Sequence, residues 1–219
     1  MVAKTWVDQG FIAYDTETTG IDVGQSRIVT AAAIHFVDRR PVESRSWLIA
    51  VDVEIPEAAS AIHGVTTQMS RDQGLEQVAA LADIRSFLVG TGVPVVCFKS
   101  DFDIPVTDSN LIRAGQAPLP PRLAVCAYVI DRQFNKYVKG KAQRRLQPTA
   151  ARYGITLNDA DWHGAQADAI AAGQIFLAEV AAYPALTAVS AEKLSEQVDQ
   201  WREAQELEFQ QWLARQEPN

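Results

Sequence analysis

Several features are scarce or absent in this sequence of 219 residues, and each absence argues against a class of protein. No run of about 18 apolar residues occurs, so the sequence predicts no transmembrane helix. The first residues, 1–6, lack the long apolar segment of a secretory signal. The only cysteines, Cys97 and Cys126, make neither a disulfide framework nor a metal knuckle. Both lie in apolar, strand-like runs, so we expect buried thiols and a reducing, cytoplasmic setting.

Positive charge is also in short supply. The chain has 27 acidic and 20 basic residues, a net charge of −7, which argues against broad electrostatic affinity for nucleic acid. A carboxylate metal site contributes negative charge of its own, so a nucleic-acid enzyme with a local basic patch stays open. The most basic stretch runs from Lys136 to Arg145, and it is either such a patch or a solvated loop.

The order of apolar patterns predicts a mixed α/β sheet. Three strands that form an antiparallel meander come first, and helices and strands alternate after them. A last amphipathic helix is expected to dock on the body of the chain, with a partner or dimer contact as the alternative. The predicted strands are 10–17, 27–37, 42–51 and 94–98, with a further apolar run at 123–130, and the predicted helices are 73–88, 103–114, 146–153, 165–182 and 190–215.

Two carboxylates lie two residues apart in the stretch from Phe11 to Gly20. The stretch is typical of a strand that enters a Thr-Thr-Gly turn, and alternate side chains of a strand share one face. Asp15 and Glu17 then point the same way and repel each other unless a cation lies between them. Their oxygen ligands suit Mg²⁺ or Mn²⁺. The alternative is a solvated strand end, so the prediction of a metal site depends on further carboxylates.

Further acidic residues follow where a metal site could use them. Asp103 and Asp101 both come after the strand predicted at 94–98, and the pattern alone leaves the choice open. Asp168 lies on an otherwise uncharged stretch of the alanine-rich helix. His163 can share its site only if it precedes that helix, because helical positions five apart point about 140° away from each other. Beside carboxylates, His163 is a suitable proton acceptor near pH 7, and a structural histidine is the alternative.

Taken in order, these motifs resemble the DEDD exonucleases of the histidine subclass. This DnaQ-like family of 3′–5′ exonucleases has the ribonuclease H-like fold and includes the proofreading subunit of bacterial DNA polymerase. The resemblance spans about residues 10–182 and selects Asp103 over Asp101. The residues that carry it are Asp15-x-Glu17 in an Asp-Thr-Glu-Thr-Thr-Gly frame, Phe102-Asp103 after a buried strand, and His163-x₄-Asp168.

The resemblance implies both an architecture and a chemistry. The architecture is a mixed five-stranded sheet flanked by helices, and we expect residues 1–184 to form the exonuclease domain. The tail beyond Pro184 lies outside the family core, and its amphipathic pattern predicts that 185–219 is a C-terminal helical extension packed on the domain. The chemistry is metal-dependent 3′–5′ hydrolysis of DNA or RNA to nucleoside 5′-monophosphates. Two Mg²⁺ or Mn²⁺ ions are expected on Asp15, Glu17, Asp103 and Asp168, with His163 taking the proton of the attacking water.

The implied partners are a nucleic acid with a free 3′ end, above all single-stranded DNA, and a DNA polymerase, with no membrane. The segment Ile62-His63-Gly64-Val65-Thr66 also resembles a family segment near the substrate. The basic stretch is the candidate for holding phosphates, and Phe102 is a candidate for stacking on the last base. The residues expected to contact substrate are Thr18, His63, Phe102, Lys139 and Lys141.

One departure from the family pattern bears on the activity. Relatives often carry His or Tyr followed by Asn, beginning five residues before the third acidic residue, and here these places hold Phe98 and Lys99. This departure and the acidic net charge support an alternative class of function. In that alternative, the chain is a nucleic-acid- or polymerase-binding module that has the exonuclease fold and weak or absent activity.

Overall fold

The computed structural model describes residues 4–120, 124–156 and 164–215. Within these ranges, five strands form one sheet, and helices cover both of its faces. The strands are β1 Phe11–Thr18, β2 Ile28–Val37, β3 Arg40–Leu48, β4 Val95–Cys97 and β5 Ala124–Cys126. The helices are α1 Trp6–Gln9, α2 Glu57–His63, α3 Thr67–Gln73, α4 Gln77–Gly90, α5 Ser100–Arg113, α6 Ala127–Phe134, α7 Leu146–Arg152, α8 Ala165–Ala182 and α9 Ala191–Ala214, with short 3₁₀ helices at Lys141–Arg144 and Pro184–Thr187.

The sheet has the order β3-β2-β1-β4-β5. Strands β1, β2 and β3 pair antiparallel, whereas β4 joins β1 and β5 joins β4 in parallel. This arrangement confirms the predicted mixed five-stranded sheet flanked by helices. Because β1, β4 and β5 are parallel, their carboxyl ends lie at the same edge of the sheet, which is where open α/β sheets bind their ligands.

The helix α8 lies close against the centre of the sheet. Its bounds are those predicted for the alanine-rich helix. Gly173 lies where a Cβ atom would come within 2.7 Å of the Phe36 ring and 3.0 Å of the Ala13 side chain. A glycine at this point therefore allows the helix backbone to reach the strands, and it brings the first turn of α8 to the edge where β1 ends.

A buried acid lies in the second half of the same helix. The Glu179 side chain is completely buried, and neither carboxylate oxygen has a hydrogen-bond partner among the described residues. Burial, and to a lesser degree the nearby Asp131, raise its pKa well above the ordinary value. This shift favours the neutral, protonated form of the Glu179 side chain.

The last helix, α9, is buried over its first half. Leu194 and Val198 are fully buried in the same cluster as Phe11 and Phe176, and Gln205 Nε2 donates to the Val129 carbonyl at 3.0 Å. Beyond Gln205 the helix extends into solvent. The apolar face predicted for this helix therefore packs only in part, because Phe209 and Trp212 are about half exposed, at 46% and 53%.

Other local differences from the sequence-based expectations concern short elements. The helices α1, α2 and α3 were not predicted. From Ala124 on, the apolar run predicted at 123–130 divides into β5 and the start of α6, and Cys126 ends β5 in register with Cys97 of β4. Within the described ranges, no helix is both long enough and apolar enough to span a bilayer.

Candidate active site

The strand β1 presents its polar residues alternately to the two faces of the sheet. Tyr14 and Thr16 are buried, whereas Asp15 and Glu17 are half-buried on the other face. The Tyr14 hydroxyl hydrogen-bonds the Thr107 hydroxyl of α5 at 2.9 Å. The alternation follows from the two-residue period of a strand, and it places both carboxylates on the side of α8.

Asp103 lies in the first turn of α5 and is held by β1. Its Oδ1 accepts hydrogen bonds from the Thr16 hydroxyl at 2.8 Å and the Thr16 backbone N–H at 3.2 Å. The backbone donor is available because β4 pairs with β1 only at Ile12 and Ala13, and the chain then turns into α5. The neighbouring Asp101 instead pairs with Arg202 of α9 at 3.4 Å.

Asp168 lies in the first turn of α8 and joins the two carboxylates of β1. One oxygen each of Asp15, Glu17 and Asp168 lie within 4.8 Å of one another. Three converging carboxylates on two rigid elements match the all-oxygen donor set that divalent cations such as Mg²⁺ and Mn²⁺ prefer. The residues present therefore fit a divalent cation site.

The electrostatics of the cluster favour added positive charge. Burial and the charges of Asp103, Asp168 and Glu17 raise the pKa of Asp15 well above its ordinary value. Burial, with Asp168 and Asp103, raises the pKa of Glu17 to about 7. Burial raises the pKa of Asp103 to about 7, although the two hydrogen bonds from Thr16 oppose the shift. Without a counter-ion, the carboxylates reduce their mutual repulsion by binding protons. A bound cation would take the place of those protons.

An apolar cavity of about 380 Å³ opens beside Glu17. It contains three of the residues predicted to contact substrate: Thr18, His63 and Phe102. Its lining is completed by Thr16, Glu17, Thr19, Gly20, Ile21, Pro56, Ala58, Ala59 and Ile62. The His63 side chain comes from the last turn of α2 and accepts a hydrogen bond from the Val65 N–H on Nδ1 at 3.2 Å, and burial lowers its pKa. The Thr18 hydroxyl donates to the Gly20 carbonyl at 2.6 Å.

A second, more polar cavity of about 330 Å³ opens beside Asp168. It is formed by the end of the basic stretch, with Arg145 in its lining. Lys139 and Lys141, the basic residues that the sequence singled out, are exposed and precede the lining segment. The sequence pattern favoured Lys139 and Lys141 over Arg145, because the partners that distinguish the cations of this stretch come from distant elements.

The departure at Phe98 and Lys99 has a structural explanation. Phe98 is buried, packs against Ala172 and Ile175 of α8, and meets the Tyr128 ring edge-on at 5.8 Å. The Lys99 ammonium lies 4.0 Å from the centre of the same ring, which is a favourable cation–π distance. The first position therefore serves the packing of the sheet edge, and the second carries an exposed cation one turn before Asp103.

The predicted proton acceptor, His163, lies outside the described residues, immediately before Gly164, the N-cap of α8. Its role therefore stays a prediction. The same holds for the completeness of the ligand set, because the three-carboxylate cluster does not include Asp103.

Comparisons with known proteins agree with this architecture. Residues 12–176 match a family model described as exonuclease. The DNA polymerase III subunit epsilon of Treponema pallidum is 30% identical over 174 residues, which are 78% of this chain and 76% of that relative. The DNA polymerase III PolC-type protein of Mycoplasma pneumoniae is 27% identical over 169 residues, which cover 77% of this chain and 11% of that relative.

A solved structure has the same fold. Exonuclease I of E. coli, in a zinc-bound complex with single-stranded DNA, superposes with a TM-score of 0.70 at 22% identity, over 82% of this chain and 42% of that chain. This chain therefore spans less than half the length of that exonuclease.

The chain belongs to the exonuclease family, and its sheet has the ribonuclease H-like fold of the DnaQ-like enzymes. The membership that the three motifs indicated is thereby confirmed. The protein is an enzyme of the nucleic-acid exonuclease class, and its acidic cluster is compatible with the divalent metal ions that enzymes of this fold use.

Proposed function

We propose that this protein is a metal-dependent 3′–5′ exonuclease that releases nucleoside 5′-monophosphates from single-stranded ends. The observation that carries the proposal is the convergence of Asp15, Glu17 and Asp168 within 4.8 Å, with an apolar cavity beside Glu17 and a more polar one beside Asp168. The apolar cavity has the chemistry to take a terminal base and sugar. The polar cavity, with Arg145 in its lining, has the chemistry to take the phosphates that precede them.

Asp15, Glu17 and Asp168 would hold the divalent ions, and Asp103 would complete the ligand set for a pair of Mg²⁺ or Mn²⁺. When bound, such ions supply Lewis-acid stabilisation of charge on phosphate oxygens and lower the pKa of water. The protein's own contribution is to keep the carboxylates rigid. Thr16 fixes Asp103, and the packing of α8 on β1 fixes Asp168 against Asp15 and Glu17.

His163 would accept the proton of the attacking water, as the spacing His163-x₄-Asp168 indicates. The terminal nucleotide would lie against Phe102 and His63, with Thr18 at the mouth of its cavity. Lys139 and Lys141 would attract the strand from solvent. A base that enters the cavity must be unpaired, and unpairing a duplex end costs free energy, which favours single strands.

The proposal includes the setting and a partner. One relative is named as a subunit of DNA polymerase III and another as a PolC-type DNA polymerase III, and these names support a DNA polymerase as a partner of this chain. The two buried, unpaired thiols suit a reducing, cytoplasmic environment.

The proposed function can be tested with end-labelled substrates. Single-stranded DNA, duplex DNA and RNA are each incubated with Mg²⁺, Mn²⁺ or chelator. We expect mononucleotides to appear from the 3′ end of single-stranded DNA only with metal, and a 3′-phosphate to slow their release. Cutting of circular single strands at the rate of linear ones would contradict the exonuclease assignment. Strand binding without cleavage under every metal condition would favour the binding module instead.

A further inference from the structure

The two cavities open beside different members of the carboxylate cluster. They share no lining residue, and each contains one member of the cluster: Glu17 lines the apolar cavity and Asp168 the polar one. A strand whose last nucleotide occupied the apolar cavity could therefore run past the carboxylates into the polar cavity. The polar cavity is lined by Ala142, Gln143, Arg145, Leu146, Gln147, Pro148 and Asp168.

The arginines around the polar cavity have different partners. Arg144 and Arg152 both reach the buried carboxylate of Asp131, at 3.3 and 2.7 Å. Arg144 Nη2 also donates to the carbonyls of Asn135 and Val138, at 2.9 and 3.0 Å. These two guanidinium groups are therefore occupied in holding the 3₁₀ helix and α7 to α6.

Arg145 lies between them in the chain and behaves differently. Its side chain is exposed and makes no salt bridge within the described ranges. Its backbone is nevertheless fixed, because its N–H donates to the Ala142 carbonyl and its carbonyl accepts from the Thr149 N–H at 3.0 Å. The next residue, Leu146, packs beside Phe98 and Ala172. An exposed cation that makes no salt bridge to any described residue is thus carried on an anchored backbone at the edge of the cavity that contains Asp168.

We propose that Arg145 binds the phosphate one linkage to the 5′ side of the scissile phosphate. A guanidinium group presents donors in a planar fork that matches two phosphate oxygens. In a protein of net charge −7, a cation placed here also offsets the repulsion between the carboxylate cluster and the incoming strand. This inference rests on the proposed function for the direction of the strand, and it adds a residue that the sequence did not single out.

The test combines a protein change with a change in the DNA. The protein change is Arg145→Gln, with Arg40→Gln as the matched control. Arg40 is also exposed, but it opens β3 at the end of the sheet where β1 begins, away from the carboxylates. The DNA change is a single uncharged methylphosphonate at the linkage next to the scissile one. A second oligonucleotide carries it several linkages further away.

Affinity for each oligonucleotide is measured in Ca²⁺ over a series of salt concentrations. We expect Arg145→Gln to weaken binding of the unmodified strand by about tenfold, the effect of one charge-assisted contact. It should also reduce the salt slope by about 0.7, the contribution of one phosphate on a single strand. In the parent protein, the nearby methylphosphonate should weaken binding by about the same factor. In Arg145→Gln it should weaken binding little further, because both changes remove the same contact. Arg145→Lys should keep most of the salt slope.

The inference and the proposed function fail in different ways. If the nearby methylphosphonate weakens binding by the same factor in the parent and in Arg145→Gln, the assignment of Arg145 is overturned, even if the enzyme cleaves DNA as proposed. An unchanged salt slope in Arg145→Gln does the same. The protein change and the DNA change could instead cause non-additive losses of affinity in a protein that binds strands but never cleaves them. That result would support the Arg145 contact and contradict the exonuclease proposal.

Discussion

Thr16 lies between two carboxylates of β1 and holds a third, Asp103, in place by hydrogen bonds. Its side chain and backbone both bind Asp103, so one residue of the strand ties α5 to the site while its neighbours, Asp15 and Glu17, face α8. Because side chains alternate along β1, the strand contacts α5 through Thr16 and α8 through the two carboxylates beside it. A substitution at Thr16 would remove the hydrogen bonds that hold Asp103. It would leave the three carboxylates of the cluster unaltered, so Thr16 acts as a positioning residue.

The first prediction concerns a carboxylate of the cluster. Asp15→Asn removes a proposed metal ligand and one of several like charges, so cleavage should be lost, and the melting temperature in chelator should stay equal or rise. The measurements are end-labelled cleavage with saturating Mg²⁺ and thermal unfolding in chelator. Asp101→Asn is the matched control, because Asp101 has the same chemistry nearby but pairs with Arg202 at the surface. An Asp15→Asn protein with the parent's rate would rule out this carboxylate as a ligand.

A second prediction concerns His163. Because His163 is proposed as a proton acceptor and not as a ligand, its removal should affect turnover and not strand binding. His163→Ala should slow single-turnover cleavage by about 10²–10⁴-fold, keep strand affinity in Ca²⁺, and gain nothing from added Mg²⁺. The rate of the parent should fall on the acidic side as the histidine protonates, and the variant should lack this limb. If parent and variant had the same rates across the pH series, the general-base role would be excluded.

At the scale of elements, α9 has two parts with different environments. Leu194 is fully buried in the core cluster on one face of the sheet, whereas Leu207 is 60% exposed further along the same helix. Leu194→Ala should lower the free energy of unfolding by about 2–5 kcal/mol, because it leaves a cavity in the core. Leu207→Ala should change it by about 0.5 kcal/mol or less.

Denaturant unfolding of the two variants measures this difference, with the slope against denaturant checked for constancy. Equal free energies for both variants would mean that the first half of α9 does not stabilise the body of the protein. In that case, the helix as a whole would be free to serve a partner.

The elements that the sequence predicted well are those with a long or strongly patterned signal. The antiparallel meander, α8 and α9 have many residues in period, and the structure has them within a few residues of the expected bounds. The short helices α2 and α3 have seven residues each, too few to be stable alone, so only their tertiary contacts make them helical. The run at 123–130 is apolar throughout, and such a run does not distinguish a buried strand from a buried helix.

The candidate site was predictable to the extent that it depends on strand period and chain order. Asp15 and Glu17 share a face, and Asp168 meets them, as their spacing and the resemblance indicated. The separate behaviour of Arg144 and Arg145 was not predictable, because it depends on Asp131 of α6, which no local pattern connects to the basic stretch. Distant partners of this kind are visible only once the chain is folded.

At the scale of the whole molecule, stability should depend on pH through the acids of the candidate site. Burial and neighbouring charges raise the pKa of Glu17 to about 7 from an ordinary value of 4.5, and burial raises that of Asp103 to about 7 from 3.8. Between the ordinary and raised values, the folded protein keeps protons that the unfolded chain has released. The free energy of unfolding should therefore fall as pH rises from about 4 to 7, the window of these shifts.

Thermal unfolding in chelator across this pH range measures the effect. Glu17→Gln should show a shallower fall than the parent, and Glu208→Gln, an exposed change on α9, should follow the parent. A melting temperature that is constant or rises from pH 4 to 7 would contradict the linkage. At pH 8, Mg²⁺ at 100 times its dissociation constant should restore about 2.7 kcal/mol to the parent.

The register of β4 and β5 places the two cysteines side by side, one in each of the two large core clusters. Burial raises the pKa of both thiols, so neither reacts with a thiol reagent until its surroundings open. The chain thus contains its own pair of kinetic reporters. With Cys97 or Cys126 left as the sole thiol, the labelling rate at low denaturant gives the opening frequency of one face of the sheet. Because both faces share the same strands, the two rates should coincide, and a gap between them would reveal a face that opens first.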